Sequence, residues 1–252
     1  FQQLYSIYVD AYSQVWAPKN PNRYRICIEG DSLTSPAPIN NANMQGSMPT
    51  TYWTDVFGNL LGCDDLINCA VSGTGFLNAT GGGGANTQYI NRLPYVASLS
   101  PDVLLIAGNY NDNVDNGFTS TQRQNAIIAY LTLARQLLPN AIIIGFGSTS
   151  GVSSANANYT ICDTDMKTAF NKFNDQFCIF YSILTDGGIG ADGSNTNAWV
   201  KGTGQTSSQT GNGNSDIYTS SNNPHHSFRS TIQYMPRRYA NAYKSIINSL
   251  NV

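Results

Sequence analysis

Charge is what this sequence has least of. Only 11% of its 252 residues are Asp, Glu, Lys or Arg, against about 25% in an ordinary soluble chain. The formal net charge is -2, which leaves no basic footprint for nucleic acid. Long apolar runs are also missing. The longest, Val103–Ala107 and Ala141–Ile144, have the length of strands and fall far short of the roughly 18 residues of a membrane span. No membrane partner is expected. No Cys-x-x-Cys or His/Cys cluster has the spacing of a zinc site, so neither metal nor cofactor is expected. The chain opens Phe1-Gln2-Gln3-Leu4, without Met and without a basic segment followed by an apolar one. It reads as a mature chain or a piece of a longer one.

What replaces charge is neutral polarity. Asn, Ser, Thr, Gly and Tyr are abundant, and 41% of the residues are hydrophobic, enough to bury a sizeable core. A polar but uncharged surface suits neutral, hydroxyl-rich ligands such as glycans. The five cysteines are an odd number, so at least one is unpaired. Cys27 lies in an apolar run and is expected as a buried thiol. Cys63 with Cys69, or Cys162 with Cys178, are candidates for a disulfide by proximity in sequence alone. Low charge and possible disulfides point to an extracellular location, secreted or within a viral or surface protein.

Apolar runs alternate with amphipathic stretches. Strands are expected at Tyr24–Ile28, within Asp65–Val71, at Asp102–Ala107, Ala141–Phe146 and Phe177–Tyr181. Helices are expected at Thr51–Leu61, Thr121–Leu138, Asp163–Phe173 and from about Ser230 to Leu250, with Met235-Pro236 as a kink. This alternation predicts one α/β domain over 1–252, with 1–20 as a lead-in. The expected architecture is a three-layer α/β/α sandwich on a mostly parallel, flavodoxin-like sheet. Two stretches fit no element: the glycine-rich Gly73–Ala85 and the long Gly/Asn/Ser/Thr segment Thr185–Asn223. Asn-x-Thr sequons occur at Asn78 and Asn158.

In a parallel sheet the ligand crevice lies at the carboxyl ends of the strands. Ile28-Glu29-Gly30-Asp31-Ser32-Leu33 ends the first strand on a small polar turn. Alone, that is ordinary turn chemistry. Three more blocks change its weight. Val71-Ser72-Gly73-Thr74-Gly75 follows the second strand, and a glycine N–H can approach a reacting group closely. Asn109-Tyr110-Asn111-Asp112 follows the third, and the Asn111 amide is a natural donor. Asn222-Asn223-Pro224-His225-His226-Ser227 precedes the last helix. Ester hydrolysis by a serine needs a base, a group that orients the base, and preorganised donors for the oxyanion. The four blocks supply a serine, two candidate oxyanion donors and a histidine.

These blocks, in this order, resemble those of the SGNH (GDSL) hydrolase family. That family carries Gly-Asp-Ser near its amino terminus, a Gly after the second strand, Gly-x-Asn-Asp after the third, and Asp-x-x-His-Pro before the last helix. Gly30-Asp31-Ser32-Leu33 and Ser72-Gly73-Thr74-Gly75 match. In the third block Asn109 stands where the family usually has Gly. In the fourth, Asn222 stands at the acid and His226 at the proline. The stretch Gly202-Thr203-Gly204…Gly213-Asn214-Ser215-Asp216-Ile217-Tyr218 resembles the family's preceding pattern and supports that register. The resemblance implies a serine esterase. Ser32 is the nucleophile, and its N–H forms the oxyanion hole with Gly73 and Asn111. His225 is the base, with His226 as its competitor. Asn222, a backbone carbonyl or Asp216 orients it. The resemblance further implies a small acyl-ester substrate, foremost an O-acetylated glycan, as in the carbohydrate esterases of this family. Tyr110, Trp53, Trp199 and Tyr218 are candidates for stacking on sugar rings. Asp112 is expected to be structural. Glu29 and Asp31 raise a paired-carboxylate glycosidase, but adjacent acids at a strand end are more often solvated or capping. With Asn222 at the acid position, a non-catalytic glycan-binding domain is the alternative of a different class.

Overall fold

The computed structural model describes residues 24–35, 53–63, 65–79, 87–147, 157–183 and 235–250. Five strands form one sheet: β1 (Ile26–Gly30), β2 (Leu66–Asn68), β3 (Val103–Ala107), β4 (Ile142–Gly147) and β5 (Cys178–Phe180). Their order is β2-β1-β3-β4-β5 and every pairing is parallel. That is the flavodoxin-like order, with its switch point between β1 and β3. The helices are α1 (Trp53–Leu61), α2 (Tyr89–Ser98), α3 (Ser120–Leu137), α4 (Ala157–Phe173) and α5 (Met235–Ser249).

Alternation along the strands divides the core in two. Ile26, Ile28, Val103, Leu105, Ile142 and Ile144 face α1 and α5, where Trp53, Phe57, Tyr239 and Tyr243 meet them. Cys27, Leu104, Ile106 and Ile143 face the other layer, with Leu93, Tyr130, Met166 and Phe170. β1, β3 and β4 are buried throughout, and burial on both faces explains why β3 and β4 read as unbroken apolar runs.

Local chemistry sets several boundaries. α1 stops at Gly62, which takes φ +65°. α3 starts on a capping box between Thr119 and Gln122. In α5, Pro236 lies in the first turn, where its missing N–H disrupts little, so it is no kink within the helix. The helix α2 is absent from the sequence-based expectation. Pro94 lies inside it and reads as a helix breaker. The apolar face of Tyr89, Leu93 and Val96, all buried, outweighs that cost.

None of the five cysteines is in a disulfide, so neither expected disulfide exists. Cys63 packs on the α1/α5 side of the sheet and Cys69 on the opposite side, so the sheet separates them. Cys162 lies early in α4, where its carbonyl meets the loop after β3, whereas Cys178 begins β5 at the other end of the sheet. Cys27 is a buried thiol, as expected.

Candidate active site

Ser32 sits two residues past β1, in a turn where the Thr34 and Ser35 N–H groups donate to the Asp31 carbonyl at 3.0 and 2.8 Å. Ser32 itself is half-buried; Asp31, Leu33, Thr34 and Ser35 around it are buried. Beneath it the turn is bolted to its neighbours. Thr34 Oγ1 donates to the Ala107 carbonyl at 2.7 Å. Asn68 Nδ2 donates to the Thr34 carbonyl at 2.7 Å. Trp53 Nε1 donates to the Leu33 carbonyl at 3.0 Å. These bonds tie the ends of β2 and β3 and the start of α1 to one short turn.

Asp31 joins the first block to the third. Its carboxylate accepts from Leu33 N–H at 3.0 Å, Asn109 N–H at 3.2 Å and Tyr110 N–H at 3.3 Å. Asp31 is fully buried. Burial pushes its carboxyl up to about 6, against the pull of those three donors. Asp31 is therefore a capping residue, and the solvated alternative does not hold.

Asp112 joins the second block to the third in the same way. It accepts from Phe76, Leu77 and Asn78 N–H at 2.7, 3.1 and 2.8 Å. Burial raises its carboxyl too. A Cβ at Gly75 would lie 2.3 Å from Asp112 Oδ1, so only glycine permits this approach. The structural role expected of Asp112 is what the structure has.

Asn109 takes φ +110° at the position where the family pattern has Gly. Its side chain offsets part of the strain by donating to the Cys162 carbonyl at 3.0 Å. Gly73 takes φ +74°. It is a tight turn, and it is half-buried beside fully buried Thr74. Asn111 is half-buried, and its Nδ2 donates to the Thr74 carbonyl at 3.0 Å. Its own carbonyl accepts from Asn78 Nδ2 at 3.1 Å and Asn116 Nδ2 at 2.7 Å. Ser32, Gly73 and Asn111 are thus half-exposed, whereas Asp31, Thr34, Thr74, Asn109 and Asp112, which hold their turns, are buried.

The aromatic candidates divide. Tyr110 is half-buried and stacks on Tyr159, with ring centroids 4.3 Å apart. Trp53 is 1% exposed and stacks on Tyr239 in the core, so it is no sugar platform. Trp199, Asp216, Tyr218, Asn222, His225 and His226 lie outside the described residues. The sequon residue Asn78 is buried and bonded to Asn111, which removes it as a glycan acceptor in the folded chain.

Glu29 is neither solvated nor capping, contrary to expectation, because it is fully buried on the α2/α3 side of β1. Tyr130 Oη donates to Glu29 Oε2 at 2.6 Å, and Arg92 Nε stands 3.5 Å from Oε1. Burial pushes the Glu29 carboxyl up to about 7, against the nearby Arg92 charge and the Tyr130 hydroxyl. A glycosidase pair built from Glu29 and Asp31 would need carboxyl groups that substrate can reach, and both are sealed. Among the described residues no group of three His, Cys, Asp or Glu side chains is placed to hold a metal. None of the described helices is long and apolar enough to cross a membrane.

No protein-family model and no curated protein matches the sequence. Solved structures do match. A family-two carbohydrate esterase from Clostridium thermocellum, in complex with cellohexaose, superposes with a TM-score of 0.57 at 19% identity. The match covers 93% of this chain and 67% of that one. A Corynascus thermopiles family-two carbohydrate esterase with a carbohydrate-binding domain gives 0.55 at 18% identity, over 94% of this chain and 69% of its own. A protein from Parabacteroides merdae described as a GDSL-like lipase gives 0.56 at 16% identity, over 88% and 94%. The chain has the three-layer fold of the SGNH (GDSL) hydrolases. The solved structures that share this fold include family-two carbohydrate esterases.

Proposed function

We propose that this chain is a serine esterase that hydrolyses small acyl esters, foremost O-acetyl groups on carbohydrate. One observation carries the reading: the turns bearing Ser32, Gly73 and Asn111 are bolted together at the switch point by the buried carboxylates of Asp31 and Asp112. Buried acids that accept three N–H bonds each are a large commitment of structure to the placement of three half-exposed groups.

In this reading Ser32 Oγ attacks the acyl carbon, and His225 takes its proton. The oxyanion is met by the N–H groups of Ser32 and Gly73 and by the Asn111 amide. That amide carries two N–H bonds. One is spent on the Thr74 carbonyl and fixes the group; the other serves the oxyanion. The tetrahedral intermediate collapses as His225 protonates the leaving alcohol, and water then releases the acyl group by the same route. Asn222 sets the tautomer of His225 through its side-chain carbonyl. Carbohydrate as the alcohol is supported by the neutral polar composition and by the cellohexaose bound to one structural neighbour. Tyr110, Trp199 and Tyr218 are the aromatic candidates for the sugar. The expected setting is extracellular.

The second reading, a glycan-binding domain without catalysis, rests on Asn222. An amide cannot supply the negative charge that stabilises an imidazolium. The test is p-nitrophenyl acetate hydrolysis by the native chain, Ser32→Ala and Asn222→Asp. Turnover abolished by Ser32→Ala supports the esterase. An inert chain whose Ser32 resists a fluorophosphonate probe supports the binding domain. Acetate release from acetylated glycans, set against longer acyl esters, tests the substrate.

A further inference from the structure

Buried Glu29 and Tyr130 and half-buried Arg92 form a polar cluster that the proposed chemistry does not use. Burying a charged group is costly unless pairing and hydrogen bonds offset it. Arg92, on α2, reaches past Glu29 to the second block. Its Nη1 donates to Thr74 Oγ1 at 3.1 Å and to the Thr87 carbonyl. Its Nη2 lies 3.5 Å from the Gly30 carbonyl, and its guanidinium rests 5.0 Å from the centre of the Tyr89 ring. Thr74 in turn donates from Oγ1 to the Val71 carbonyl at 2.7 Å, closing the turn around Gly73. The Thr74 carbonyl accepts the Asn111 amide. One residue therefore connects Arg92 to both groups assigned to the oxyanion hole, Gly73 through its turn and Asn111 through its amide.

We propose that Arg92, paired with Glu29, which the Tyr130 hydroxyl anchors, is a positioning residue that fixes the Gly73 N–H and the Asn111 amide through Thr74. The proposal rests on the esterase reading. In this proposal Arg92 acts on the geometry of the turn and not by touching substrate. Its loss therefore affects the step in which oxyanion charge develops more than it affects substrate binding. A displacement of about 1 Å costs on the order of 10²-fold in rate.

The test separates the tie from general stability. Removing Arg92 alone leaves Glu29 buried without its partner, so the informative variants are Thr74→Val and the double replacement Arg92→Met with Glu29→Gln. Each is expected to lower kcat on p-nitrophenyl acetate about 10- to 100-fold, with KM within about 3-fold. Amide exchange over residues 70–79 should quicken in both. Thr74→Ser, which restores the hydroxyl, should recover most of the rate lost in Thr74→Val. Folded variants with native kcat and unchanged exchange overturn the positioning role while the esterase stands. A native chain that neither turns over nor labels at Ser32 removes the esterase reading, and the positioning role falls with it.

Discussion

Asp31 and Asn109 are hydrogen-bonded across the switch point: the carboxylate that follows β1 accepts the main-chain N–H of Asn109, the residue at φ +110° after β3. The residue beside the proposed nucleophile thus holds the loop that carries a proposed oxyanion donor. Ser32 and Asn111 are placed by one shared bond network instead of by two independent loops.

Replacing Asp31 should therefore cost more than a surface acid would. Asp31→Ala leaves three backbone N–H groups without their acceptor, and each unsatisfied buried group costs about 1–3 kcal/mol. Asp31→Asn keeps the shape but turns one accepting oxygen into a donor facing N–H groups. Both variants should lose at least about 2 kcal/mol by urea unfolding, with Asp31→Asn at least partly folded. A loss under about 0.5 kcal/mol would show that the staple is dispensable.

Stability should fall as pH rises from about 4 to 7. The folded carboxyls of Asp31 and Glu29 are pushed to about 6 and about 7 from ordinary values of 3.8 and 4.5. Between those limits the folded chain holds more protons than the unfolded one, so its advantage is complete below about 4 and is lost as pH passes about 6 and then 7. Each tenfold difference in proton affinity between the folded and unfolded chain is worth about 1.4 kcal/mol, so the two groups together contribute several kcal/mol. Melting temperatures from pH 4 to 8 would show it. Glu29→Gln should flatten the upper part of the curve, and an unchanged slope would refute the assignment to Glu29.

Gly75 should tolerate no side chain. Its Cβ would meet the Asp112 carboxylate, which three N–H donors hold in place. Gly75→Ala should destabilise by about 1–3 kcal/mol through overpacking and depress any esterase activity. Gly117→Ala is the control. That glycine has φ +82° but nothing within 4 Å of a Cβ, so only the backbone cost of about 1 kcal/mol applies.

At Asn109, glycine and alanine should separate in an order opposite to a helix interior. Both lose the bond to the Cys162 carbonyl. Alanine also bears the left-handed strain, about 1–2 kcal/mol, and glycine does not. Urea midpoints should rank native and Asn109→Gly close together and Asn109→Ala below both. Equal stability of the two variants would mean that the loop relaxes out of the left-handed region.

The centre of the sheet is legible in the sequence because β3 and β4 are buried on both faces and read as unbroken apolar runs, as Val103–Ala107 does. The placement of Ser32, Gly73 and Asn111 after the ends of β1, β2 and β3 is legible as well, because each stands in a polar turn that follows an apolar run. What holds them is not. Nothing local marks Arg92 as the partner of Glu29, because the whole second block lies between them in the chain and only the packing of α2 on β1 joins them. Pro94 hides α2 itself, since a breaker in the sequence outweighs a buried face that only the fold supplies. Trp53 reads as available because an aromatic near a site carries no sign of which way it points. The disulfide expectations fail for a related reason: closeness along the chain says nothing about which side of a sheet a thiol faces.

Asn109 also bears on how distant relatives are sought. The third motif is usually written with a letter, Gly. Here that letter stands for a torsion angle, and an asparagine satisfies it. A search pattern that demands the letter would pass over chains with an asparagine such as Asn109 in that place. A pattern that asks for any residue tolerant of positive φ at that point, and for glycine alone at the place of Gly75, would admit them without becoming loose.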